Sequence, residues 1–169
     1  MQRSPVVYFL FFVSGITALI YEIVWTRMLT LVFGHTVFSV SVVLAGFMAG
    51  LGLGSYLFGY AADRLSSSSS ALKVYGWLEI LIFATGVLLS LLFANFADVY
   101  SLFHSVIPES PLLQNLLKVV FSITLMLVPT TFMGATLPLI SKYCVIGDKP
   151  IGIQISLLYA LNTFGAACG

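Results

Sequence analysis

The chain is 169 residues long, 60% hydrophobic and only 8% charged, with a formal net charge of +1. A water-facing surface draws on about 25% charged residues, so these proportions exclude a soluble globular domain. The near-neutral balance offers no basic patch to neutralise phosphates, which excludes a nucleic-acid partner.

The few charges are spaced to leave long uncharged runs. No Asp, Glu, Lys or Arg occurs between Arg3 and Glu22, Arg27 and Asp63, Glu79 and Asp98, or Lys118 and Lys142, and a last run extends from Pro150 to Gly169. Roughly 20 apolar residues cross the hydrocarbon core as a helix, because a helix satisfies its own backbone where no water can. The pattern predicts an all-α fold: a polytopic membrane bundle of about five spans forming a single domain over residues 1–169.

The first span is expected from Val6 to Leu29. Arg3 followed by Val6 to Ile20 has the outline of a signal peptide. No small-x-small cleavage site leads into polar sequence, so the segment is read as a retained span. Phe33, Gly34 and His35 form a tight turn into the second span, Thr36 to Tyr60. Gly46, Gly50 and Gly54 stand four apart on it, and small residues at that spacing let helix backbones approach closely. The stripe fits packing inside the chain or a subunit interface, and its length leans toward a homodimer or a partner membrane subunit.

A polar loop with a serine run, Ser66 to Ser70, leads to the third span, Leu72 to Phe93. Phe96, Val99, Tyr100, Phe103, Val106 and Ile107 then recur at helical spacing, which predicts a short interfacial helix stopped by Pro108 and Pro111. The fourth span, Leu113 to Ile140, is interrupted by Pro129, Gly134 and Pro138, whose freed carbonyls need partners in the bundle or in a wet cavity. The fifth begins at Ile151 and carries Asn162, expected to hydrogen-bond between helices. Leu157 to Gly169 ends without a cap, a charge or an interfacial anchor, which predicts either further residues or completion by another chain.

Basic residues set orientation. With the N-terminus in the cytoplasm, Arg3, Arg64, Lys73, Lys142 and Lys149 share the cytoplasmic side, and only Arg27 and Lys118 fall on the other. The two cysteines, Cys144 and Cys168, have no metal-ligand spacing and read as packing residues. His35 and His104 have neither a triad nor a metal partner in sequence. No metal, cofactor or catalytic centre is expected.

Ionisable groups inside a bilayer are costly, so they pair, face a cavity or act. Glu22 admits three readings. It could pair with Arg27 or Lys118, sit solvated at the interface, or hold an organic cation between the rings of Tyr21 and Trp25 by charge and ring-face attraction. Glu79 is expected to pair locally with Lys73, with cation binding as the alternative.

Gly59-Tyr60-Ala61-Ala62-Asp63-Arg64 resembles the Gly-x-x-x-Asp-Arg signature of major facilitator superfamily transporters. There Gly59 would allow a close turn, and Asp63 and Arg64 would pair at a gate. The expected second glycine and basic residues are replaced by Leu65 and the serine run. Longer blocks carry a more particular likeness. Ser14-Gly15, Tyr21 to Arg27, Phe47 to Gly50 with Gly54 to Tyr56, Pro129 to Pro138, and Leu158 to Ala166 look like the membrane half of bacterial spermidine synthase-like proteins. The resemblance implies a domain like one half of a major facilitator transporter, set in the bacterial inner membrane. It does not imply a synthase, because no Gly-rich nucleotide loop or Rossmann-like alternation accompanies it. Two functions follow as expectations: a half-transporter that assembles to move a polyamine-like or other small polar solute, or a non-transporting anchor in a larger membrane complex.

Overall fold

The computed structural model describes residues 5–65, 67–99, 110–144 and 151–169. Five long helices account for most of them: α1 (Pro5–Phe33), α2 (Thr36–Arg64), α3 (Ser68–Ala94), α4 (Pro111–Cys144) and α5 (Ile151–Cys168). All five are long and apolar enough to cross a membrane. Their outward faces are apolar too: Phe9, Leu31, Phe83 and Leu112 are all well exposed. Such a surface suits lipid and not water, so the chain is an integral membrane bundle in contact with the bilayer.

Local sequence explains the helix ends. Pro5 and Pro111 open α1 and α4, where the missing N–H costs nothing because the first turn has no intrahelical partner for it. Gly34 turns the chain from α1 into α2 with φ +75°, a left-handed conformation that suits glycine, and its N–H donates to Thr30 O at 2.9 Å. Ser67 caps α3, its Oγ accepting from Ser70 N at 3.2 Å.

The interior has two apolar clusters. Phe11, Ala71, Tyr75, Leu78, Leu139 and Ile140 belong to one. Trp25, Leu29, Val43, Phe47, Phe93 and Met126 belong to the other. Cys144 is buried in the first cluster and forms no disulfide among the described residues.

Helix α2 packs on α4 through glycines. A methyl group added at Gly50 would strike the Thr130 side chain, one at Gly54 the Thr131 carbonyl, and one at Gly134 the Leu51 carbonyl. Gly46 is looser, with Met126 Sδ and the Ile123 backbone at ordinary contact distance. The Gly46–Gly50–Gly54 stripe, read above as leaning toward a subunit interface, is therefore occupied by α4 of the same chain. Backbones touch there because dispersion and close approach, not the hydrophobic effect, hold helices together in lipid.

Proline does not interrupt α4, which runs unbroken from Pro111 to Cys144. Pro138 has no N–H to give Gly134 O four residues back, and Ser55 Oγ of α2 donates to that carbonyl instead, at 3.0 Å. On the other side of the bundle, α5 leans on α1. Asn162 Nδ2 donates to Phe11 O at 3.1 Å, while Gly15 and Gly165 give the backbones room to meet at Asn162 and Phe12.

Of the expected interfacial helix, Phe96 to Val99 form a helical turn, and the remainder lies outside the described residues. Phe96 is 5% exposed and packs its ring against Phe93 and Phe121, so it points into the bundle rather than along a membrane surface.

Candidate functional site

Against the second apolar cluster lies a cavity of about 160 Å³. Its polar lining is Glu22, Ser14 and Thr17 from α1, Glu79 from α3, Thr136 from α4 and Asn162 from α5. Phe47, Leu51, Ile82 and Met133 close its apolar walls. Glu22 and Glu79 both fall near the middle of their helices, far from either helix end.

Neither carboxylate is neutralised. Among the described residues Glu22 forms no ion pair, so its expected pairing with Arg27 or Lys118 is not made. The geometry of a helix explains the first failure, because residues five apart point away from each other. Glu79 is not paired with Lys73, which is exposed at the start of α3. The Oε1 atom of Glu79 is buried and has no hydrogen-bond partner among the described residues.

Three of the remaining polar groups spend a proton elsewhere. Thr17 Oγ1 donates to Val13 O at 3.0 Å and Thr136 Oγ1 to Met133 O at 2.7 Å, each within its own helix. Asn162 uses an amide N–H on Phe11 O. The two threonine hydroxyls keep acceptor capacity. With two carboxylates beside these hydroxyl oxygens the cavity is rich in acceptors, a setting that favours a ligand with positive charge and N–H groups.

The aromatic flank expected around Glu22 is not there. Trp25 is fully buried in the second apolar cluster, its Nε1 donating to Ser90 Oγ at 3.1 Å and its ring against Phe47 at 6.3 Å. Tyr21 stacks on Trp25 at 5.2 Å and lies over Gly86, where a methyl group would strike its ring. Neither residue lines the cavity. Tyr21 and Trp25 stand one turn apart on α1 and stack on each other, so both rings are committed to packing against Phe47 of α2 and Gly86 and Ser90 of α3.

The loop motif also departs from its expected form. Gly59 makes no turn: it sits inside α2, and a methyl group there would meet nothing within 4 Å. The helix continues to Arg64, a basic residue in its last turn, where the helix dipole favours it. Asp63 and Arg64 are exposed, and the contact they offer the rest of the bundle is Asp63 O, which accepts from Lys142 Nζ at 3.5 Å.

Beside the cavity, α1 and α3 form a groove of about 440 Å³ lined by Val7, Leu10, Val13, Leu72, Tyr75 and Gly76. Ser14, Thr17 and Glu79 line both spaces. Sequence reading missed Ser14, Thr136 and the role of Tyr75. A signal was present for part of this: Ser14, Ala18 and Glu22 repeat every four residues, a small and polar stripe down one face of an apolar helix. Set against known proteins, the chain matches no family model, no curated protein and no solved structure.

Proposed function

We propose that this chain is a half-transporter-like membrane bundle that takes a small organic cation into the cavity holding Glu22 and Glu79. The observation that carries the reading is a mid-bundle cavity holding two carboxylates with no ion pair among the described residues. A buried charge without a counter-ion is costly in lipid, about 3 kcal/mol on insertion scales. A bound ammonium relieves that cost and an anion or a neutral sugar does not.

The resemblance to the membrane half of spermidine synthase-like proteins points to the same chemistry, a polyamine being an organic cation. A pathway across the membrane needs a second bundle facing this one, since transporters are built from paired repeats around a central site. That second bundle is a further copy of the chain or a partner subunit, with the N-terminus in the cytoplasm of a bacterial inner membrane. Asp63, Arg64 and Lys142 would then mark the cytoplasmic rim.

The test is equilibrium binding of methylammonium and spermidine to the purified chain in lipid nanodiscs, followed by uptake in proteoliposomes. Glu22→Gln and Glu79→Gln should each weaken binding at least tenfold while the helical circular dichroism stays unchanged. Absence of binding to the unaltered chain would leave the non-transporting anchor as the surviving reading.

A further inference from the structure

The cavity and the groove beside it are not separate spaces. Glu79 lines both, together with Ser14 and Thr17, so a molecule seated at Glu79 can extend into the groove. Beyond these three the groove changes character: Val7, Leu10, Val13 and Leu72 are aliphatic, and Leu10 and Val13 are exposed on the outside of the bundle. One polar atom interrupts this lining. Tyr75 is 3% exposed, and its hydroxyl faces Glu79 and Ser14 without a hydrogen bond of good geometry to either. A buried hydroxyl without a partner is costly and uncommon. Here it lies one helical turn before Glu79, whose buried Oε1 is also unsatisfied.

Resting on the cation-binding reading of the cavity, we infer that the ligand is an amphiphilic amine: an ammonium head at Glu79 and an alkyl tail in the α1–α3 groove. The head has three N–H donors, and Glu79 Oε1 and the neighbouring Tyr75 hydroxyl oxygen are the acceptors that the site offers them. The tail would lie on Val7, Leu10, Val13 and Leu72, reached from the lipid side rather than from water. A second charge far along the tail would meet aliphatic side chains only. The site thus favours single-headed alkylamines over amines charged at both ends of the chain.

Gly76 supplies the means of testing this. It lines the groove, and a methyl group added there meets nothing within 4 Å, so a larger side chain can fill the groove without a clash. Binding of methylamine, butylamine and 1-butanol to the full chain in nanodiscs is measured for the unaltered protein, Gly76→Leu and Glu79→Gln. Butylamine should bind at least tenfold more tightly than methylamine, given about fourfold for each buried methylene. Gly76→Leu should erase that gain and leave methylamine affinity unchanged, and Glu79→Gln should weaken both amines. Equal affinity for the two amines, or a gain that survives in Gly76→Leu, would overturn the groove as the tail site while leaving the cavity reading intact. Butanol binding as tightly as butylamine would also overturn it, since the groove would then be a lipid-type surface indifferent to charge. Failure of both amines to bind would remove the cavity reading along with it.

Discussion

Glu22 on α1 and Glu79 on α3 line one cavity, and no Lys or Arg among the described residues neutralises either of them. Helices that the chain places far apart thus bring two costly groups to the same depth. Replacing either with the isosteric amide removes a charge that the empty protein must hold desolvated. Glu22→Gln and Glu79→Gln should therefore leave the ligand-free protein as stable as before or more stable, by up to about 3 kcal/mol. A structural ion pair would give the opposite sign, a loss of several kcal/mol. Melting curves in the absence of amine decide between them.

The contact of Gly50 with Thr130 should behave as a matched pair. Gly50→Ala drives a methyl group into the Thr130 side chain, and an overpacked contact of this kind costs about 1–3 kcal/mol. Gly50→Leu should cost more and reduce the folded yield. Adding Thr130→Gly to Gly50→Ala should restore part of the loss, because the obstructing side chain is gone. A double-mutant cycle on unfolding measures this coupling; strict additivity would count against close packing at this point.

Trp25 is a packing residue whose indole depends on Ser90. Ser90→Ala leaves the buried Nε1–H without its acceptor and should destabilise the protein by about 1–3 kcal/mol. Amine affinity should not change, because Trp25 does not line the cavity. A fall in affinity at constant stability would place the indole at the ligand after all.

Asn162 is expected to matter in proportion to how lightly α5 is held, with only Leu158 and Gly165 of that helix fully buried. Asn162→Leu removes the bond to Phe11 O and should weaken α5 docking by about 1 kcal/mol. The readout is faster protease cleavage at residues 151–169 in detergent, with the α2–α4 pair unaffected.

The ends of the helices make a prediction about sidedness. Ser67 precedes α3 and Ser110 precedes α4, both are exposed, and α3 separates them by one crossing. Single cysteines at these positions, in a background lacking Cys144 and Cys168, should label from opposite faces of the membrane. The positive-inside rule places Ser67 in the cytoplasm. Labelling of both from one face would overturn the five-span arrangement.

The sequence by itself determined that this chain is a bundle of membrane-crossing helices. A bilayer leaves the backbone few solutions, so uncharged runs of sufficient length declare their own secondary structure, and Gly34 marks its turn because the backbone there needs positive φ. What the sequence left open is where each helix face points. Local reasoning set Glu22 between Tyr21 and Trp25, yet packing against Phe47 and Gly86 takes up both rings, and the partner of Glu22 in the cavity is Glu79 on another helix. The glycine stripe of α2 announced close packing without naming its surface, and the fold assigned it to Thr130, Thr131 and Ala135 of α4. Ser55 and Pro138 are linked only through the carbonyl of Gly134, a relation that exists once α2 and α4 are in contact. Rotation about the helix axis costs an isolated span in lipid little wherever its faces are alike in apolarity, as they are over most of these helices. Only the touching of one helix against another fixes that rotation, and with it the cavity.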